Sequence, residues 1–235
     1  MEGVIKLGVG EPDFAPPWHV RETIIDSLSR GRTSYTSNAG LWELRRLIGD
    51  HLLSNYGVQY DPAKEILVTV GVSEGLDVAL RCLLDPGDEA IVHQPCFVSY
   101  LACVDLAGGR PVVVVTREEE DFRLSPAAVT AAITERSKLL LLNYPNNPTG
   151  ATMSADELAE IAEVARAHDL CVISDEIYSA LTYQGKHCCF ASLPGMRERT
   201  VLLNGFSKSH AMTGLRIGYA AGPAEIIEAM TKVHS

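Results

Sequence analysis

What most constrains this chain is an alternation. Short, continuous runs of Val, Ile and Leu recur along it, and segments with helical spacing separate them. The runs lie at 65–70, 89–93, 111–115, 138–142, 170–174, 200–203 and 216–221, and they predict about seven strands. Most are apolar throughout rather than at every second residue, the pattern of a strand covered on both faces. Helical patterns near 18–30, 41–56, 73–84, 97–107, 125–134 and 154–168 supply the covering layers. This order predicts an α/β fold: a three-layer α/β/α sandwich around a mostly parallel sheet. Local punctuation agrees. Ser154 and Glu157 form a capping box, and Ser125-Pro126 puts an N-cap serine before proline at a first helical position. Asp85-Pro86-Gly87-Asp88 and Ala107-Gly108-Gly109 read as turns. His168 ends a helix. No repeat or obvious linker divides the chain.

With 235 residues the chain can bury one large core, or two small ones. A net charge of -10 argues against nucleic acid and anionic membranes as partners, so an anionic ligand must be held by locally placed cations. No apolar run reaches about 18 residues, so no membrane span is expected. Met1-Glu2-Gly3-Val4-Ile5-Lys6 does not resemble an export leader. The six cysteines form no Cys-x-x-Cys pair and the seven histidines have no ligand-like spacing. Free thiols in a reducing cytoplasm, without a metal site, are the expectation.

Ligands of open α/β sheets bind beyond the carboxyl ends of strands, so the residues following each run are candidates. Lys208 and Arg216 stand eight apart in the glycine-punctuated stretch from Asn204 to Gly218. An amine there can form a Schiff base with a carbonyl, and a guanidinium can clamp a phosphate. Pyridoxal 5'-phosphate (PLP) carries both groups; two cations in a surface loop are the plain alternative. Gly71-Val72-Ser73-Glu74 opens a helix whose free amides favour a phosphate, although many such turns carry glycine with no ligand. It is not a Walker loop, and Gly8-Val9-Gly10 is not a dinucleotide fingerprint. Phe97, at the start of a helix, either lies flat on an aromatic cofactor or packs in the core. The stretch from Asn143 to Gly150 is a rigid, non-helical loop. It is either a turn or a mount for an asparagine amide facing a ligand oxygen. Asp175, at the end of an apolar strand, is costly to bury without a cation such as a protonated pyridine nitrogen. A helix N-cap or a solvated carboxylate is the other reading. Each feature alone is weak; the six in this order are specific.

On these residues the chain resembles the class I/II aminotransferases, PLP enzymes of fold type I, and most of all their prokaryotic aspartate/aromatic branch. The likeness covers essentially the whole chain, from Gly8-Val9-Gly10-Glu11-Pro12-Asp13-Phe14 to Lys208–Gly218. It implies catalytic roles for three residues: Lys208 as the Schiff-base lysine, Asp175 on the pyridine nitrogen, and Tyr178, which with Asn147 holds the ring hydroxyl. It implies that Phe97 stacks on the ring and that Arg216 and the amides of Val72 and Ser73 hold the phosphate. Tyr35 would reach the phosphate of a neighbouring subunit in a homodimer, and Gly10 would lie against the substrate carboxylate. The implied reaction moves an amino group from an amino acid to a 2-oxo acid.

Two departures stand out. Where many relatives carry a phosphate-binding serine, this chain has Gly205, and Ser207 is the nearest substitute. Relatives also continue into a small domain that carries the arginine for the substrate α-carboxylate. The expected organisation is therefore an N-terminal segment at 1–40 and a PLP-binding large domain at 41–235, with the small domain absent. Two alternatives share the cofactor residues: a carbon–sulfur β-lyase and a truncated, non-catalytic PLP-binding module.

Overall fold

Seven strands join into one sheet in the order β1-β7-β6-β5-β4-β2-β3. They are β1 (Ile66–Thr69), β2 (Glu89–Gln94), β3 (Arg110–Val115), β4 (Ser137–Leu142), β5 (Cys171–Asp175), β6 (Thr200–Gly205) and β7 (Gly218–Ala221). The computed structural model describes Gly8 and residues 10–235; the leader reading at 1–6 and Val9 lie outside the described residues. The helices are α1 (Trp18–Ser29), α2 (Trp42–Tyr56), α3 (Gly71–Leu83), α4 (Ser99–Leu106), α5 (Pro126–Ala132), α6 (Ala155–Ala167) and α7 (Ala224–His234).

The strand pleat sorts the apolar runs to two faces. Leu139, Leu141, Ile173, Val201 and Leu203 face α3, α4 and α7. Leu140, Leu142 and Val172 face α5 and α6. Leu202, Tyr219 and Ala221 pack under α2. Both sides of β4 are thus buried, which is why its sequence is continuous leucine. Each such side chain contributes about 1.5–3 kcal/mol on burial.

Sheet polarity decides where the loops go. The pairs β2–β3, β2–β4, β4–β5 and β5–β6 are parallel, whereas β7 runs antiparallel to both β1 and β6. The carboxyl ends of β1, β2, β4, β5 and β6 therefore share one edge, and the amino end of β7 arrives at that same edge.

Three local expectations are corrected. α3 starts at Gly71, not near 73, and Gly71 itself takes φ +74, a conformation that suits glycine, at the turn out of β1. α4 starts at Ser99, not at Phe97: the Phe97 carbonyl accepts Tyr100 N–H at 3.1 Å in a turn that precedes the regular helix. β7 starts at Gly218, because Arg216 adopts a left-handed φ 52, ψ 56 instead of continuing a strand. The Ser154–Glu157 capping box forms with both of its bonds. Ser125 occupies the cap position before Pro126 but makes no side-chain capping bond. His168 is the C-cap of α6.

Candidate active site

The loops at this edge each deliver a polar group. β5 ends on Asp175, whose side chain is 5% exposed. Its Oδ2 accepts the Tyr100 hydroxyl at 2.7 Å and its Oδ1 accepts Ile177 N–H at 3.1 Å. Burial pushes the carboxyl up to about 6; these two bonds oppose the shift and nearby Glu176 adds to it. Among the described residues no lysine, arginine or histidine pairs with this carboxylate. Buried carboxylates are normally paired, so an uncompensated one at a strand end is a site-like feature.

The loop after β4 is fastened to that strand end. Asn143 is fully buried; its Nδ2 donates to the Asp175 carbonyl at 2.9 Å, and its Oδ1 accepts Asn147 N–H at 2.8 Å. Its own N–H donates to His93 Nε2 at 3.2 Å. Burial lowers the His93 pKa to about 4, so the ring stays neutral and its Nε2 can accept. Held this way, Asn147 Nδ2 donates to the Tyr178 hydroxyl at 3.3 Å. Burial, then Asp175, raises the Tyr178 pKa, and the Asn147 bond opposes them.

Lys208 follows β6. Its ammonium lies 5.7 Å from the Tyr178 ring centroid and donates to the Gly10 carbonyl. Burial lowers its pKa and Arg216 adds to this, while Glu11 opposes both. Arg216, just before the reversed β7, donates to the Thr213 carbonyl at 2.9 Å. Its guanidinium closes over the first turn of α3: a Cβ on Gly71 would stand 2.5 Å from Arg216 Nη2. The first amides of α3, those of Val72 and Ser73 among them, have no carbonyl partner within the helix. A guanidinium over free helix N–H groups is a cradle for an anion.

The family model for aminotransferase class I and II matches residues 2–235. The chain belongs to the class I and II aminotransferases. It is 47% identical to an aspartate aminotransferase of Pyrococcus abyssi, over 99% of this chain and 60% of that protein. It is 43% identical to aromatic-amino-acid aminotransferase 2 of Thermococcus litoralis, again over 99% of this chain and 60% of the relative. The crystal structure of an aromatic aminotransferase from Pyrococcus horikoshii superposes with a TM-score of 0.97 at 44% identity, covering 100% of this chain and 63% of that one. The chain therefore spans about 60% of the length of the curated relatives it matches.

Set against the residues expected of an aminotransferase, the edge gathers most of them. Asp175, Tyr178, Asn147, Lys208 and Gly10 form one connected group, and Arg216 sits over the α3 turn that carries Val72 and Ser73. Phe97 is half-buried beside Tyr100, with ring centroids 5.7 Å apart at 76°. Ser207 is buried, and its carbonyl accepts Met212 N–H. Tyr35 stands apart from the group, fully exposed. A cavity of about 380 Å³ between the start of α6 and the 182–187 loop contains none of these side chains, so the candidate site is the open sheet edge instead. Sequence reading missed Tyr100, Asn143 and His93. Tyr100 reads as a core aromatic in an apolar helical segment, and the other two had no signal beyond their place at strand ends.

Proposed function

We propose that this chain is the PLP-binding large domain of an aminotransferase that moves an amino group from an amino acid to a 2-oxo acid. In this reading 1–40 leads into the domain at 41–235, and the small domain lies outside this chain. The uncompensated carboxylate of Asp175 carries the proposal: a buried anion at a strand end calls for a cation, and a protonated pyridine nitrogen is one. The rest of the edge fits the same molecule. Arg216 and the free amides of Val72 and Ser73 suit its phosphate, the Tyr178 hydroxyl and Asn147 amide suit its ring oxygen, and Phe97 suits its ring face. Ser207, buried just before Lys208, is the hydroxyl assigned to assist at the phosphate.

Bound there, PLP would supply an aldehyde carbon for amino-group exchange and a ring that takes up electrons released at the substrate Cα. The chain's own contribution is electrostatic and acid–base. Asp175, with a pKa of about 6, is mainly ionised at neutral pH and favours a protonated nitrogen opposite it. The lowered pKa of Lys208 raises the fraction of free amine, which serves both as nucleophile and as carrier of the Cα proton. Tyr178 and Asn147 donate hydrogen bonds that stabilise negative charge on the ring oxygen. Gly10 sits beside Lys208, where a substrate carboxylate would lie. A homodimer completes the reading: Tyr35 is fully exposed and α1 buries none of its residues within the single chain. All six cysteines are free thiols, which supports the cytoplasm as the enzyme's place of work. No helix among the described residues is long and apolar enough to cross a membrane.

The test is to add PLP to the protein and to its Lys208→Ala variant. Visible absorbance of the lysine-linked cofactor is expected in the parent and not in the variant, with the circular dichroism of the two unchanged. The same visible band in both would refute the assignment. Adding amino acids and 2-oxo acids then separates amino-group transfer from release of ammonia and pyruvate, the outcome expected of a β-lyase.

A further inference from the structure

Tyr100 is a buried phenol in the first turn of α4, and none of the roles above uses it. Its hydroxyl donates to Asp175 Oδ2 at 2.7 Å, across 75 residues of sequence. Its ring meets that of Phe97 edge-on. One side chain thus touches both the carboxylate assigned to the pyridine nitrogen and the ring assigned to stack on the cofactor. We propose that Tyr100 is a positioning residue for the pyridine nitrogen, acting through Asp175: its hydroxyl fixes the carboxylate's orientation and holds it in the ionised form. The inference rests on the PLP reading of this edge.

An ionised carboxylate is acceptor-only at both oxygens, whereas a protonated one gives up part of that capacity to an O–H donor. Asp175 has two donors, the Ile177 amide on Oδ1 and the Tyr100 hydroxyl on Oδ2. Donors to the charged form favour it, and burial disfavours it. The Ile177 amide is local to the turn after β5 and cannot fix the outer oxygen. Tyr100 reaches that oxygen from a different helix, so it sets the plane of the carboxylate relative to the sheet. The other ionisable groups facing Asp175 are Glu176 and Tyr178. Glu176 is itself engaged by Ser174, His187 and Phe190 N–H, and Tyr178 is held by Asn147. Tyr100 is therefore the one side chain among the described residues that donates directly to this carboxylate. Burial and the neighbouring carboxylate push its own pKa well above 10, so it remains a donor at any working pH. Without the hydroxyl, a larger share of Asp175 is protonated at neutral pH. A protonated carboxyl no longer balances a ring cation.

The test uses Tyr100→Phe, which keeps the ring and its contact with Phe97. In the PLP-free protein, the Asp175 carboxyl is titrated by carbon-13 NMR of labelled aspartate, with the signal assigned by its loss in Asp175→Asn. The midpoint is expected to rise by about one to two pH units, as for loss of a hydrogen bond to a charged group. PLP retention by equilibrium dialysis is expected to fall about tenfold in the parent background and to stay unchanged when Tyr100→Phe is added to Asp175→Asn. Site-specific 3-fluorotyrosine at position 100, a stronger donor of the same shape, is expected to move the midpoint down. It keeps the question decidable if the phenylalanine variant folds poorly. A lowered melting temperature with an unmoved carboxyl midpoint would mean that Tyr100 only packs, and would overturn the inference. If the parent protein fails to retain PLP, the cofactor reading falls and takes the positioning role with it. An unmoved midpoint with PLP retained sinks the Tyr100 role alone.

Discussion

Replacing Asp175 with asparagine should change the pH dependence of folding in a calculable way. The carboxyl is 5% exposed and its pKa stands at about 6, against an ordinary 3.8. The folded state therefore prefers the protonated form. Stability from this group is fully present below pH 3.8 and is lost as pH rises through about 6. The shift of about two pH units corresponds to about 3 kcal/mol of destabilisation at neutral pH in the cofactor-free protein. An asparagine in its place does not titrate, so the variant escapes that loss. The substitution also brings a pH-independent penalty, since the new Nδ2 must face either the Tyr100 hydroxyl or the Ile177 amide, where an acceptor stood before. Taking the difference between two pH values removes this constant. The assay is urea unfolding of parent and variant across about pH 4 to 8, in the absence of PLP. The variant should gain up to about 3 kcal/mol relative to the parent over that range, most of it below about pH 6.5. A free-energy difference that stays flat with pH would refute the claim that burial strains this carboxylate, and with it the physical ground for a cationic partner.

Two further outcomes follow from the same edge. Arg216→Lys keeps the charge but loses the planar pair of donors, so PLP affinity measured by dialysis should fall about tenfold while urea stability changes little. Asn143→Ala orphans the buried Asp175 carbonyl and the part-buried Asn147 amide, and should cost about 2–4 kcal/mol in urea unfolding at an unchanged slope.

The central strands were readable because their runs are apolar on both faces. Leu140 and Ile173 sit in runs buried on both faces, whereas edge strand β3 buries Val114 and leaves Val113 and Val115 exposed. The direction of β7 was not readable. Gly218-Tyr219-Ala220-Ala221 carries no mark of polarity, yet its reversal is what brings Arg216 to the edge that holds Lys208. The residues proposed to act on the cofactor directly stood out, because a lysine, an aspartate or a guanidinium at a strand end is conspicuous. Residues that act through others did not. Tyr100 reads as core because it is core, and only coordinates reveal that its hydroxyl points at a carboxylate 75 residues away. Asn143 was hidden by its neighbour: the loop pattern drew attention to Asn147, whereas the fully buried amide that anchors the loop lies four residues earlier.

The glycine at 205, where a phosphate-binding serine was expected from the resemblance, has a steric explanation. Gly205 and Gly218 face each other in register across β6 and β7. A Cβ on Gly205 would stand 2.8 Å from Gly218 Cα and 2.9 Å from the Ile217 carbonyl oxygen. A Cβ on Gly218 would stand 2.6 Å from the Gly71 carbonyl carbon and 2.7 Å from Val72 N. Three glycines thus stack from the sheet into the first turn of α3, with the Arg216 guanidinium closing the far end. Backbone meets backbone at each step, so no flexible side chain can yield to make room. In this packing a serine at 205 would push β6 from β7 and lift Arg216 off the α3 amides it covers. The close approach and the serine are alternatives, and this chain has taken the close approach. In the proposed reading the anion cradle is accordingly built from backbone amides and one guanidinium.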